Sequence, residues 1–203
     1  MKPETPLLDS PPSPSSPASP TSPANRISLG ISLLGYSVIH STMHPSPENH
    51  YLAGHATLLL DTYQSLTGRS LIDRTGDPTT DAKTLFHAPV FVASHNTLED
   101  PTLTYGNQTA LDLFEMPWQT FVGTPSRFTA EPPDRDERAR LLAGVTANGF
   151  IDNYSGIRIS STGQRFQIHQ ATVWNLTSPD GTPTGQAATF NTWTALPPAA
   201  QHP

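Results

Sequence analysis

The sequence predicts an α+β domain: a five-stranded antiparallel sheet with helices on one face and an N-terminal helix on the other. Three observations predict it. Helical spacing of apolar residues occupies the early and central parts of the 203-residue chain. The later part instead carries three β-rich segments joined by tight turns, which makes them antiparallel. The middle segment, Arg165–Trp174, holds apolar residues at both parities, with Phe166, Ile168 and Trp174 on one and Ala171 and Val173 on the other. A sheet covered on both faces has that pattern.

Residues 1–47 read as a disordered tail. Eight of the chain's 22 prolines fall in Met1–Pro23, together with six serines. Such a stretch cannot bury enough apolar surface to offset its ordering entropy. It is expected to be extended and solvated, its Ser-Pro pairs open to phosphorylation or proline-motif docking. Met43 begins MHPSPENHYL, directly ahead of the first helix signal, and is an alternative start.

From Glu48 to Leu66, the residues Leu52, Ala56, Leu59, Tyr63 and Leu66 recur at helical steps and mark one face of an amphipathic helix. Thr67-Gly68 ends it. A polar loop with a turn at Gly76-Asp77-Pro78 leads to a strand over Pro89–Ser94. Glu99-Asp100-Pro101 then turns the chain into a second strand, Thr102–Tyr105, making a hairpin. Asn107 suits the N-cap of a helix over Gln108–Glu115, whose inner face is Ala110, Leu111 and Phe114. A third helix runs from Arg135 to Ala147, buries Leu141, Leu142 and Val145, and stops at Asn148-Gly149. The strands Phe150–Ser160, Arg165–Leu176 and Thr184–Trp193 complete a domain spanning 48–196, with 197–203 a short disordered end. Gly156 lies inside a strand, where it predicts a bulge or a close backbone approach.

Composition narrows the function classes. The formal net charge of −6 sits wholly after residue 47, because Lys2, Arg26, Glu4 and Asp9 cancel. An acidic domain lacks the basic footprint of direct nucleic-acid binding. The absence of cysteine excludes disulfides, thiolate metal sites, a cysteine nucleophile and a cysteine-linked flavin. The longest apolar run, around Ile31–Ile39, is too short and too interrupted to span a bilayer, and no basic segment precedes it as in a secretory signal. A cytoplasmic protein with no membrane partner is expected.

Helix, two strands, short helices, a longer helix and three antiparallel strands is the element order of a PAS domain. The residues sharpen this. Leu58-Leu-Leu-Asp-Thr-Tyr63, Ala93-Ser-His95, Tyr105-Gly-Asn107 and Ala110-Leu-Asp-Leu-Phe-Glu-Met116 resemble successive blocks of the MEKHLA family. So do Glu137-Arg-Ala-Arg-Leu-Leu142, Tyr154-Ser-Gly-Ile-Arg-Ile-Ser160 and Ala171-Thr-Val-Trp-Asn175. The resemblance covers Asn49 to Trp193. MEKHLA is a PAS-like domain found alone in bacterial and algal proteins and at the end of plant homeodomain–leucine-zipper proteins. This chain is similar to the stand-alone form. The resemblance implies a PAS-like fold and a sensory or interaction role, but supplies no cofactor and no catalytic residue.

The residues themselves do not point to catalysis. Ser94 and His95 are neighbours in a strand and so face opposite ways, and Asp134, Asp136 and Glu137 suit the positive end of a helix dipole. No hydrolase, zinc or phosphate-loop motif is present. The eight histidines form no metal-spaced pair beyond residue 55, although His169 is of the type that ligates haem in some PAS sensors. Neither an enzyme nor a metal protein is expected, and the cofactor is unknown.

Two functions remain. One is a small-molecule sensor with a pocket between the sheet and the helices Gln108–Glu115 and Arg135–Ala147, signalling through a separate protein. The other is a ligand-free interaction module, a homodimer or a signalling partner, using the Glu48–Leu66 helix or the outer sheet face. For the pocket, the candidate ligand-binding residues are Tyr105, Asn107, Phe114, Tyr154, Arg158 and His169. Asn107 is also explained as a helix cap. Arg158 must reach water, an acid or an anionic ligand, and an acid partner is the expectation.

Overall fold

The computed structural model describes residues 43–197. Of the expected tails, 1–47 and 197–203, residues 1–42 and 198–203 lie outside the described residues; within the part of the first tail that is described, His44 meets the Phe86 and Trp118 rings edge-on.

The first helix, α1, spans Ala53–Thr67 and starts later than its apolar spacing suggested. His50, Tyr51 and Leu52 have φ of 53°, 52° and 57°, three successive left-handed residues without a glycine. Each such residue costs on the order of 1 kcal/mol. Local bonds offset that cost: Ser46 N–H donates to Asn49 Oδ1 at 2.9 Å, and Tyr51 N–H donates to Ser46 O at 2.8 Å. Gly68, at φ 70°, terminates α1 as expected. The region read as a polar loop contains a second helix, α2 (Pro78–Phe86). Asp77 caps it by accepting from Thr80 N–H at 2.8 Å, and Pro78 occupies its first turn.

Strands β1 (Phe91–His95) and β2 (Leu103–Gly106) form the expected hairpin. Helices α3 (Gln108–Phe114) and the single-turn α4 (Trp118–Phe121) follow, then α5 (Arg135–Asn148). The chain ends in β3 (Phe150–Ile159), β4 (Arg165–Thr177), β5 (Pro183–Phe190) and β6 (Thr192–Ala195). The sheet order is β2-β1-β5-β4-β3, all antiparallel, with β6 also pairing β4. Six strands replace the expected five because the last segment breaks at Asn191. Its two halves, β5 and β6, pair successive stretches of β4.

Helix α1 covers one face of the sheet. Trp174 Nε1 donates to Thr62 Oγ1 at 3.1 Å, and the Tyr63 and Trp174 rings meet edge-on at 5.0 Å. Helices α3 and α5 cover the other. Phe114 packs against Phe91 and Phe166, while Gln186 and Asn175 reach the backbone of α5. Two bulges decide which residues share a face. Asn153 in β3 and Gln170 in β4 take φ of 58° and 52°, and the β3–β4 register shifts beside each. The extra residue at Gln170 reverses the alternation. Phe166, Ile168, Ala171 and Val173 therefore all face α3 and α5, whereas strict alternation had divided them; Trp174 faces α1.

Candidate functional site

The space between the sheet and α3 and α5 is not filled. A cavity of about 70 Å³ remains, walled by Phe91, Phe190, Phe114 and Tyr154, with Ile168, Ala171, Val173 and Ala188 beneath. Leu141 and Leu142 of α5 form its roof. They were expected to be buried like Val145, yet only Val145 is fully buried on that helix, because cavity rather than packed side chain lies under the other two. Polar bonds complete the attachment of α5. Gln186 Nε2 donates to Leu142 O and to Thr146 Oγ1, both at 3.0 Å, and Asn175 Nδ2 donates to Val145 O at 3.0 Å.

Polar side chains line the cavity too, among them Arg138 of α5, Arg158 of β3 and His95 of β1. Arg158 is 8% exposed. Its Nη1 donates to Ile157 O at 2.7 Å and its Nη2 to the Tyr154 hydroxyl at 3.3 Å, while the guanidinium lies 5.3 Å from the Tyr154 ring centre. No carboxylate pairs with Arg158 among the described residues, so the expected acid partner is not there. Arg165, across the same turn, does have one, donating to Glu131 at 2.9 Å. Arg138 makes no hydrogen bond or ion pair among the described residues. Burial, and then the like charge of Arg158, lower its guanidinium to about 10, with Tyr154 opposing. His95 is 9% exposed, and its Nδ1 is bonded to Asn96 O at 2.8 Å. Since a carbonyl can only accept, Nδ1 carries the proton and Nε2 of the neutral ring is an acceptor. That Nε2 is buried with no partner. Burial holds the ring neutral, lowered to about 4, with the Asn96 carbonyl opposing and Arg138 adding to the fall.

Gly156 explains how Tyr154 reaches Arg158 along the same face of β3. A Cβ at Gly156 would lie 2.8 Å from Tyr154 Cζ, inside the contact limit. The close approach expected at Gly156 is thus that of a side chain, the phenol ring lying flat across the glycine, and a register shift separates the two residues.

The strand order, the bulged sheet and the helices on both faces are a PAS-like arrangement. The family model for the MEKHLA domain matches residues 53–195. The chain belongs to the MEKHLA family. Among solved structures it is similar to a PAS domain from Colwellia psychrerythraea, at 12% identity and a TM-score of 0.49 over 58% of this chain and 94% of that one. It is also similar to an RNA-binding light-oxygen-voltage receptor, at 16% identity and a TM-score of 0.48 over 60% of this chain and 36% of that one. A fungal LOV-domain photoreceptor matches at 17% identity and a TM-score of 0.47, over 68% of this chain and 89% of that one. No curated protein matches the chain.

In this MEKHLA domain, three of the six residues singled out by sequence meet at the cavity: Phe114, Tyr154 and Arg158. The other three lie elsewhere. Tyr105 pairs with Ser94 across β1 and β2 and faces α1, its ring 5.4 Å from His55. Its hydroxyl is fully buried without a partner, and burial pushes the phenol up. Asn107 is fully buried as a cap and latch. Its Oδ1 accepts from Ala110 N–H at 3.1 Å and Val92 N–H at 3.0 Å, and its Nδ2 donates to Val90 O at 2.6 Å. His169 faces β6, bonded to Thr194 Oγ1 at 3.1 Å. Ser94, set beside His95 in sequence, is bonded instead to His55 Nε2 at 2.9 Å on the α1 face.

Sequence reasoning passed over Arg138 and the acceptor nitrogen of His95. A signal existed for Arg138, because it shares the helical face of Leu141, Leu142 and Val145. The orphaned Nε2 depends on the Asn96 carbonyl and has no sequence mark. Among the described residues no helix is long and apolar enough to cross a membrane, and no three potential metal ligands cluster.

Proposed function

We propose that this MEKHLA domain is a small-molecule-binding sensory domain whose ligand occupies the cavity under α5 and whose output passes to a separate protein. The cavity is the observation that carries this reading. Apolar and aromatic walls with a few convergent polar groups are the usual make-up of a ligand site, and this cavity combines three Phe rings with a buried, unpartnered acceptor. The position of α5 supports a signalling role. The helix is anchored by one fully buried side chain and a few polar bonds, so a ligand beneath Leu141 and Leu142 bears on an element with little else to hold it. The proposal is binding without chemistry. Ser94 and His55, a hydrogen-bonded serine and histidine, are committed to the α1 face.

Native mass spectrometry and an absorbance spectrum of freshly purified protein test the reading. Expected is an adduct mass lost on denaturation, or slowed amide exchange in α5 on addition of metabolites. Bare chain mass, with no metabolite altering exchange in α5, would overturn it.

A further inference from the structure

The two halves of α5 are held unequally. Residues 142–148 are pinned to the sheet. Val145 is fully buried, Gln186 Nε2 donates to Leu142 O and Thr146 Oγ1, and Asn175 Nδ2 donates to Val145 O at 3.0 Å and to Thr146 O at 3.4 Å. Just beyond the helix end, Asn175 N–H donates to Gly149 O at 2.8 Å. The first two turns, residues 135–141, have no buried side chain. Among the described residues their one side-chain bond runs from Arg135 Nε to Ala130 O at 3.4 Å, and that partner is only five residues back along the chain. Arg138 has no partner to lose. Gly144 stands between the halves. A Cβ there would lie 3.1 Å from Ile151 Cδ1, and a glycine inside a helix is a point of low helix propensity.

The cavity beneath gives this asymmetry a use. At about 70 Å³ it is under half the ~150 Å³ that accommodates benzene, so an organic ligand of that size needs one wall to move. Strands β1, β5 and β4 are each paired on both edges, and Phe91, Phe114 and Phe190 are all buried. The first turns of α5, which bring Arg138 and Leu141 to the cavity, are the wall with least to break. We infer that they form a lid: residues 135–141 unwind as far as Gly144 while residues 145–148 stay docked, and the ligand enters through the gap. Ligand entry rests on the small-molecule reading above; the opening itself rests on the unequal bonds. Local openings of this kind draw on the least protected segment of a fold.

The chain has no cysteine, so one introduced thiol reports the opening. Ala171→Cys places it on the cavity floor at a fully buried position of β4, and Val173→Cys is a second reporter on the same wall. Labelling of the full chain by dithiobisnitrobenzoate, which is too large for the closed cavity, is followed by absorbance at reagent concentrations where the rate is proportional to reagent. Two helix substitutions separate the halves. Ala139 and Ala147 are both exposed on α5, and glycine at either lowers helix propensity equally, by about fivefold in an opening constant. Ala139→Gly is expected to speed labelling about fivefold and Ala147→Gly to leave it unchanged, because residue 147 is helical in the open and closed forms alike. Amides of residues 139–143, whose helical acceptors lie in the lid, are expected to exchange at least tenfold faster than those of residues 146–149. Equal acceleration by both substitutions, as global unfolding or undocking of the whole helix produces, would overturn the lid. So would labelling that neither substitution changes, or equal exchange in the two halves. Each of these results leaves the sensor reading to its own test by adduct mass and metabolite response. A working lid in a protein that responds to no metabolite would overturn that reading and leave the opening intact.

Discussion

Replacing Asn107 with Ala is expected to be among the most damaging single changes outside the aromatic core, and the loss can be worked out bond by bond. Asn107 is fully buried and joins three elements. Some of its partners keep a second bond. Ala110 N–H still reaches Asn107 O at 2.9 Å, Ala88 O still accepts from Thr109 Oγ1 at 2.8 Å, and Leu85 O from Ala88 N–H at 3.3 Å. Two groups lose the side chain that holds them: Val92 N–H, at 3.0 Å from Oδ1, and Val90 O, at 2.6 Å from Nδ2. An orphaned buried group costs about 1–3 kcal/mol, and the missing amide leaves a small void besides. The sum is about 4 kcal/mol, against a total stability of about 5–15 kcal/mol. For a domain of this size that lowers Tm by roughly 10 °C. Urea and thermal unfolding followed by circular dichroism measure it. Asn107→Asp separates the two orphans, because a carboxylate still accepts from Val92 N–H but cannot donate to Val90 O. It is expected to be unstable at neutral pH and partly restored on acidification, when the protonated acid can donate. A loss below about 1 kcal/mol for Asn107→Ala would refute the latch and return Asn107 to the list of ligand contacts.

Gly156→Val is expected to cost about 2 kcal/mol and to enlarge or distort the cavity, because the Tyr154 ring must leave its seat over Gly156 and give up Arg158; wild-type stability would disprove this packing. Acidification is expected to destabilise the domain. His95 and His55 are lowered by burial to about 4 each, so the fold binds fewer protons than the unfolded chain between pH 4 and 6.5. Their contribution is complete above pH 6.5 and lost as pH falls towards 4. For His95 this is on the order of 3 kcal/mol; half-buried His55 contributes less. Urea midpoints from pH 7.5 to 4.5 should fall accordingly, and His95→Gln should flatten the curve; an equal slope in that variant would refute the assignment. Gln186→Leu is expected to speed amide exchange in α5 severalfold while leaving β4 and β5 protected, since it cuts two bonds to that helix; uniform change across the domain would count against a separately held α5.

What the sequence conveyed, and what it hid, follows from the range of the forces involved. The Gly68 terminator, the Asn107 cap, the hairpin and the tight turns are local, and each was legible from a few neighbouring residues. Helix α2 was legible too, in the Asp77 cap, Pro78 in the first turn and the spacing of Ala82, Leu85 and Phe86, but the Gly76-Asp77-Pro78 turn signal competed with it. The late start of α1 was not, because His50, Tyr51 and Leu52 take left-handed backbone without glycine, held there by Ser46 and Asn49. The bulges at Asn153 and Gln170 are hidden for the same reason. Their effect is large: one extra residue in β4 moves Ala171 and Val173 onto the face of Phe166 and Ile168. Tyr105, expected at the pocket from the general geometry of the fold, lies on the α1 face of β2 instead.

The same bulges make the site. The bulges at Asn153 and Gln170 set Tyr154 opposite Ala171 and Gly156 opposite Ile168, so Tyr154, Gly156 and Arg158 fall on the cavity side of β3. Gly156 then lets the Tyr154 ring lie along the strand, and the ring carries its hydroxyl to the Arg158 guanidinium. Across the cavity, Arg138 is brought in by a helix whose apolar stripe it shares, and His95 by a strand whose next carbonyl fixes its tautomer. None of these placements stabilises the fold in an obvious way. An aromatic residue at position 138 would fill the roof better than a cation, and a carboxylate facing Arg158 would satisfy it. A core selected for stability alone removes such features. Ion pairs are made elsewhere, on Arg69, Arg74 and Arg165, and this supports the proposed ligand site under α5.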